Sequence, residues 1–200
     1  MATRKVEGAK APAAKKAPAE KKAPVAKEAP VAKEAPAVKK PAAPSLLAVG
    51  AEAPAFALEA DDGRTVSLES LRGRPVVLYF YPKDDTPGCT VEACGFRDAS
   101  AELEARGAVV LGVSRDTPRS HQRFKEKHGL GFTLLSDPDA TMIRAYGAFG
   151  PKLFMGRVSD GIHRVTYLLD GEGRIARVYP KVSPKDHAAE VLADLAELAR

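Results

Sequence analysis

The sequence predicts an α/β protein with a mixed central sheet flanked by helices, preceded by a basic segment that has no core of its own. Short apolar runs rich in β-branched and aromatic residues alternate with stretches in which Ala and Leu recur at helical spacing. Prolines, glycines and Asp-Gly steps separate these stretches, as expected for turns. With 44% hydrophobic residues in 200, the chain can form one fair-sized core.

The elements of the domain follow from these patterns in chain order. We predict a hairpin of 51–58 with 65–68, a buried strand at 76–81, a helix over 90–106, a strand at 109–113, a helix over 118–128, a strand at 132–135, a helix over 140–146, a hairpin of 165–169 with 175–178, and a helix over 187–198. The strand, helix, strand order around 76–113 implies a parallel pair of strands.

Residues 1–44 differ from the rest of the chain in charge and composition. They contain eleven Lys or Arg and four Glu, a net charge of +7, whereas the whole chain carries +5, so residues 45–200 carry −2. Prolines recur at a spacing that prevents a helix from completing two turns, and aromatic residues are lacking, so burial cannot offset the entropy lost on ordering. We expect residues 1–44 to be a disordered tail and residues 45–200 to form one domain.

Two functions are open for this tail. It is either a solubilising spacer or a weak, salt-sensitive contact for nucleic acid or another polyanion, because lysines neutralise phosphates with release of counterions. The chain has no apolar stretch long enough for a secretory signal or a membrane span. Its two cysteines, with no sign of a disulfide framework, fit a reducing compartment. We therefore expect a cytoplasmic protein without membrane contact.

Cys89 lies just after a predicted helix start. Thr86 is suited to cap free backbone amides, and Pro87 fits the first helical turn because its missing N–H costs no hydrogen bond there. A thiol in the first turn lies near unpaired N–H groups and the positive end of the helix dipole, and both favour thiolate over thiol. We interpret Cys89 as a reactive thiol at the carboxyl end of the central strand, rather than as a small buried hydrophobe.

Cys94 follows Cys89 by five residues. On an unbroken helix this spacing gives a Cα to Cα distance of roughly 8.6 Å. A disulfide requires less than about 7 Å. The two cysteines therefore cannot bond while the helix is intact, yet they can bond if its first turns unwind, which is the arrangement expected of a redox switch.

Other uses of a cysteine pair are less compatible with the sequence. The Cys-x-x-Cys spacing of disulfide oxidoreductases and zinc knuckles is absent. A zinc site would need two further ligands, and the histidines are scattered without ligand spacing, so we interpret each of them as a surface or capping residue. They are His121, His128, His163 and His187.

The residues around Cys89 resemble a known active-site signature. Pro82-x-x-x-Thr86-x-x-Cys89 is similar to the signature of peroxiredoxins, and the longer segment from Tyr81 to Cys94 resembles the peroxiredoxin Q type, also called bacterioferritin comigratory protein. The resemblance extends from residue 47 or so to the C-terminus. It implies a thioredoxin-like fold, a peroxide substrate, a peroxidatic Cys89 and a resolving Cys94.

The resemblance also implies a catalytic arginine just before a late strand. The matching stretch, 161–170, points to Arg164, with Arg157 as the nearest alternative. In the implied role Arg164 holds the thiolate and polarises the peroxide, Thr86 hydrogen-bonds sulfur or peroxide oxygen, and Pro82 shields the site from water. Ordinary structural roles remain open for each: a surface ion pair for Arg164, a helix cap for Thr86 and a strand terminator for Pro82.

The implied reaction needs a peroxide and a dithiol reductant. Cys89 thiolate attacks peroxide, the sulfenic acid condenses with Cys94, and a thioredoxin-like protein reduces the disulfide. We expect a monomer that uses no cofactor and no metal. Two rival functions remain: a thiol-disulfide oxidoreductase acting on proteins, which the cysteine spacing disfavours, and a non-enzymatic redox sensor associated with nucleic acid, which the basic tail suggests.

Overall fold

The structure is a computed structural model that describes residues 45–154 and 156–198. The predicted tail, residues 1–44, lies outside the described residues. The strands are β1 (Ala57–Ala60), β2 (Thr65–Ser67), β3 (Val76–Phe80), β4 (Val109–Ser114), β5 (Thr133–Ser136), β6 (Phe149–Phe154), β7 (Arg157–Ile162), β8 (Val165–Leu169) and β9 (Ile175–Tyr179). The helices are α1 (Pro87–Asp98), α2 (Ser100–Ala105), α3 (Pro118–His128), α4 (Thr141–Ala145) and α5 (His187–Leu198), with a 3₁₀ helix at Glu69–Leu71.

Within the described part of the chain, seven strands form one sheet in the order β2-β1-β5-β4-β3-β8-β9. Strand β3 lies near its centre, parallel to β4 and antiparallel to β8. The remaining strands, β6 and β7, form a separate antiparallel hairpin. The predicted α/β fold with a mixed sheet flanked by helices is therefore confirmed.

Both faces of β3 are buried, which explains its continuous apolar run. One face, with Leu78 and Phe80, packs in a core that includes residues of β8 and α4. The other face, with Val77 and Tyr79, packs against residues of α1, α3 and α5. Side chains alternate between the two faces along the strand, so β3 belongs to both cores and its carboxyl end is held rigidly.

The predicted helix over 90–106 is two helices in the structure. Helix α1 ends at Asp98, and Ala99, with φ −89° and ψ 0°, separates it from α2. No glycine or proline lies at the break. The sequence prediction relied on the helical spacing of apolar residues, which continues across the break, and therefore gave one helix where the structure has two.

The hairpin of β6 and β7 is absent from the sequence prediction. Its strands carry Gly150, Pro151 and Gly161, and the turn between them includes Gly156 with φ 75°. Most of β7 is exposed, so it lacks the alternation of buried and exposed residues that marks a strand.

In the described residues, no helix is both long enough and apolar enough to cross a membrane.

Candidate active site

Helix α1 begins as predicted, with Thr86 before it and Pro87 in its first position. The N–H of Thr90 donates to the carbonyl of Thr86 at 2.8 Å. Helical bonds span four residues, so the amides of Gly88 and Cys89 lie in the turn that has no intrahelical acceptor. Cys89 therefore lies at the positive end of the helix dipole. Only 1% of its surface is exposed.

The predicted capping by the side chain of Thr86 is wrong. Thr86 has the extended backbone of a capping residue, φ −87° and ψ 149°, but its hydroxyl accepts no hydrogen bond from the helix. Oγ1 donates instead to the carbonyl of Lys83 at 3.1 Å, which turns the hydroxyl back towards the preceding loop. Because the Thr86 hydroxyl donates its hydrogen to Lys83, the lone pairs of Oγ1 remain free to accept a hydrogen bond.

Arg164 reaches Cys89 because of the register between β3 and β8. Phe80, at the end of β3, pairs with Val165, at the start of β8. Arg164 therefore lies beside the edge of the sheet from which the chain enters α1, and its Nη2 donates to Cys89 Sγ at 3.2 Å. Arg157, the alternative arginine, lies exposed on β7. The structure brings Arg164, and not Arg157, to the thiol.

Glu92 is the third member of this cluster. It lies three residues after Cys89, on the same face of α1, and Arg164 Nη1 donates to its Oε2. The peroxiredoxin-like motif includes Glu92, yet no local pattern indicates that this residue is buried and paired. A glutamate on a helix is usually interpreted as solvent-exposed, and only the tertiary structure shows otherwise.

Burial controls the charge on Glu92. It raises the pKa of Glu92 to about 7, and the opposing attraction of Arg164 only partly offsets this. Oε1 has no hydrogen-bond partner within the described residues. Burial would lower the pKa of Arg164, but Glu92 and Cys89 outweigh it and the pKa is raised. Arg164 is thus a fixed cation shared between a thiol and a carboxyl group.

A glycine allows the arginine to approach the helix. A Cβ atom placed on Gly88 would lie 3.2 Å from Arg164 Nη2, closer than most such contacts. A larger residue would push the guanidinium away from Cys89. In the Pro-Gly-Cys step, Pro87 therefore begins α1, and Gly88 leaves room for the guanidinium of Arg164.

The other two predicted site residues lie further from this cluster. Cys94 is half-buried on α1, and both cysteines are free thiols on the same unbroken helix. Pro82 is exposed and lines a cavity of about 290 Å³ together with Phe149, Lys152 and Ile162. The hairpin of β6 and β7, which the sequence did not predict, thus forms one wall of the cavity beside Pro82.

The interpretation of the histidines as surface or capping residues is wrong for two of them. His121 and His187 are buried, with 0% and 1% exposure. Nδ1 of His121 contacts the carboxylate of Asp84, and Nε2 of His187 contacts Thr166 Oγ1 at 2.8 Å. Both ring nitrogens of His121 have partners from distant parts of the chain, whereas Nδ1 of His187 has no hydrogen-bond partner within the described residues. The sequence does not show such pairings.

Comparisons with known proteins agree with this geometry. The sequence profile of the AhpC/TSA family matches residues 49–178. The chain therefore belongs to the AhpC/TSA family of peroxiredoxins, which makes it a thiol-dependent peroxidase. Among its relatives, the putative peroxiredoxin bcp of Coxiella burnetii is 52% identical over 147 residues, covering 74% of this chain and 97% of the relative. Peroxiredoxin Bcp of Escherichia coli is 46% identical over 153 residues, covering 76% and 98%.

Solved structures support the same conclusion. Bacterioferritin comigratory protein of Xanthomonas campestris is 39% identical with a TM-score of 0.69, covering 72% of this chain and 92% of that chain. A cysteine mutant of Xylella fastidiosa PrxQ is 34% identical with a TM-score of 0.73, covering 78% and 99%. These relatives confirm the resemblance to the peroxiredoxin Q type and the thioredoxin-like fold.

The pKa of Glu92 predicts how stability changes with pH. Below its ordinary value of 4.5 the carboxyl group is protonated in both states, and between 4.5 and about 7 only the unfolded state loses the proton. Stability falls with rising pH across this window, by about 3 kcal/mol in all. Glu92→Gln should remove this loss, which urea unfolding at pH 5 and pH 8 would measure.

Glu104→Gln, an exposed glutamate on α2, is the matched control and should keep the pH dependence of the wild type. If Glu92→Gln loses as much stability between the two pH values as the wild type does, then Glu92 does not carry the raised pKa.

Proposed function

We propose that Cys89 is the peroxidatic cysteine and that its thiolate attacks one oxygen of a peroxide. The supporting observation is the 3.2 Å contact of Arg164 Nη2 with Cys89 Sγ in the first turn of a helix. The S–O bond forms as the O–O bond breaks, the peroxide is reduced, and water or an alcohol leaves with one added proton. Cys89 becomes a sulfenic acid.

The neighbouring residues support each part of this step. Arg164 carries a fixed charge that stabilises the thiolate and the negative charge that develops on the leaving oxygen. Thr86 Oγ1 donates to Lys83, so it accepts a hydrogen bond from the O–H of the hydroperoxide. Pro82, which lines the cavity formed with the hairpin of β6 and β7, limits the access of water to the sulfur.

We propose that Cys94 resolves the sulfenic acid. Its thiol displaces water from oxidised Cys89 to form an intrachain disulfide, and a thioredoxin-like dithiol reduces that disulfide by exchange. Five residues of intact helix hold the sulfur atoms apart, so α1 must unwind locally. Gly88 and Gly95, beside the two cysteines, are poor helix formers and lower the cost of this change.

The substrates in this proposal are hydrogen peroxide and organic hydroperoxides. The Xanthomonas campestris relative is described as having alkyl peroxide reduction activity, and the cavity beside Pro82 includes the apolar side chains of Phe149 and Ile162. We place this activity in the cytoplasm, in antioxidant defence and redox homeostasis, and expect a monomer. Free thiols at both cysteines fit a reducing compartment.

Serine substitutions should separate the two cysteines. Cys94→Ser should react once with peroxide and leave a sulfenic acid at Cys89 that dimedone traps, without turnover in the presence of thioredoxin. Cys89→Ser should not react. Mass spectrometry and peroxide consumption measure both outcomes. Turnover by Cys94→Ser at the wild-type rate would show that another thiol resolves Cys89.

The proposed local unwinding of α1 can be tested on the wild-type protein. Hydrogen exchange of residues 86–96 should be faster in the oxidised protein, because the amides of α1 lose their helical acceptors. If these amides stay equally protected while the intrachain disulfide is shown to form, local unwinding is refuted.

Arg164→Ala should lower the rate constant for peroxide by orders of magnitude, because it removes the fixed charge at the sulfur. The thiolate fraction of Cys89, followed by absorbance near 240 nm as pH is varied, should also fall at neutral pH. Arg157→Ala is the matched control on the exposed strand β7 and should leave both quantities unchanged. The reverse pattern would assign the catalytic charge to Arg157.

For the tail we propose a role outside catalysis, namely a salt-sensitive contact with nucleic acid or another polyanion. A chain that begins at Ser45 should keep the peroxide rate, because the residues proposed for catalysis all follow position 81. It should lose retention on a heparin column at low salt. Absence of retention by the full chain would exclude the contact, and a large loss of rate in the shortened chain would place the tail in the catalytic unit.

A further inference from the structure

The loop between β3 and α1 has no regular secondary structure, although it carries Pro82 and Thr86. Two consecutive aspartates, Asp84 and Asp85, attach it to the neighbouring helix α3. The attachments differ in environment: Asp84 is buried, whereas Asp85 is exposed. The buried attachment is not part of the catalytic cluster described above.

His121, on α3, is the partner of Asp84. The ring is completely buried. Nδ1 lies 3.0 Å from Asp84 Oδ2, and Nε2 lies 3.2 Å from the carbonyl oxygen of Leu135. A carboxylate and a carbonyl only accept hydrogen bonds, so both ring nitrogens must donate. Double protonation of the ring satisfies both contacts, with Asp84 as the counterion.

Further contacts fix Asp84 in the same place. Its Oδ1 accepts from the hydroxyl of Tyr81 at 2.7 Å, and its N–H donates to Asp116 Oδ2 at 2.9 Å. Burial would raise the pKa of Asp84, but the hydrogen bonds from His121 and Tyr81 outweigh it and the pKa is lowered. The loop is thus tied at one residue to the end of β3, to the segment after β4 and to α3.

We propose that the ion pair between Asp84 and His121 positions the Thr86 hydroxyl for the attack on peroxide. The proposal rests on the function proposed for Cys89. Thr86 is two residues from Asp84, and its hydroxyl is oriented by Lys83, the residue just before Asp84. A shift of the loop therefore moves the acceptor that Thr86 presents to the peroxide, while Arg164, held by Glu92, stays in place.

The adjacent aspartate provides a matched control. Asp85 pairs with Lys127 Nζ at 2.5 Å and with His128 Nε2 at 2.9 Å, and its side chain is 45% exposed. Exposed ion pairs contribute little because water screens them, whereas loss of one partner of a buried pair leaves the other uncompensated. Asn is tolerated at the left-handed conformation of Asp85, φ 56°, so Asp85→Asn tests the same change of charge at the surface.

Asp84→Asn should lower the second-order rate constant for peroxide by about 10- to 100-fold, the effect of misplacing a reacting group by a fraction of an ångström to an ångström. The thiolate fraction of Cys89 should stay at its wild-type value, because Arg164 and the helix end remain. Asp85→Asn should keep its rate within about twofold of the wild type. Equal rates for Asp84→Asn and Asp85→Asn would overturn the proposal.

The wild-type protein allows a test that needs no variant. Nitrogen NMR of the imidazole rings should show both nitrogens of His121 protonated at neutral pH, and a neutral ring would overturn the proposal. If the wild type does not react with peroxide, the function proposed for Cys89 fails, and the charge on His121 is still decided by the NMR result.

Discussion

The site depends on one partly buried cation, Arg164, that contacts two groups on the same face of α1. Arg164 contacts Cys89 Sγ with one nitrogen and Glu92 with the other. A partly buried guanidinium favours a counterion, and a buried carboxylate needs a cation, so each limits how far the other can move. With the pKa of Glu92 at about 7, the carboxyl group titrates near neutral pH. The net charge that the thiol experiences therefore depends on whether Glu92 holds its proton.

This cation reaches the thiol because of the sheet and not because of local sequence. Cys89 and Arg164 are 75 residues apart. Strand β3 precedes α1 in the chain, and the antiparallel strand β8 begins opposite the end of β3. A one-residue slip of this register would move Val165 to the opposite face of the sheet and shift Arg164 along β3. Burial on both faces of β3 opposes such a slip, so the geometry at the sulfur is fixed by packing deep in the sheet.

The sequence predicted the parts of the molecule that depend on local patterns. The apolar run at 76–81, the helix start at Pro87 and the Pro-Gly-Cys step each follow from short-range steric and hydrogen-bonding rules. The break at Ala99 could not be predicted, because no helix-breaking residue marks it. Glu92 and His121 also escaped prediction, since their burial depends on partners 72 and 37 residues away. The same holds for the hydroxyl of Thr86, whose choice of acceptor depends on the shape of the loop.

The proposed cycle requires α1 to be fixed before the reaction and to loosen after it. Asp84 attaches the loop before α1 to His121 on α3, and Arg97 Nη1 donates to the carbonyl of His128, at the end of the same helix, at 2.6 Å. The segment that must unwind lies between these attachments, so its ends stay in place while its path changes. In the proposed cycle the Cys89 thiolate also restrains α1, because Sγ accepts a hydrogen bond from Arg164. Once Cys89 is a neutral sulfenic acid this charge-assisted bond weakens, and oxidation thus removes one restraint on the turn that must open.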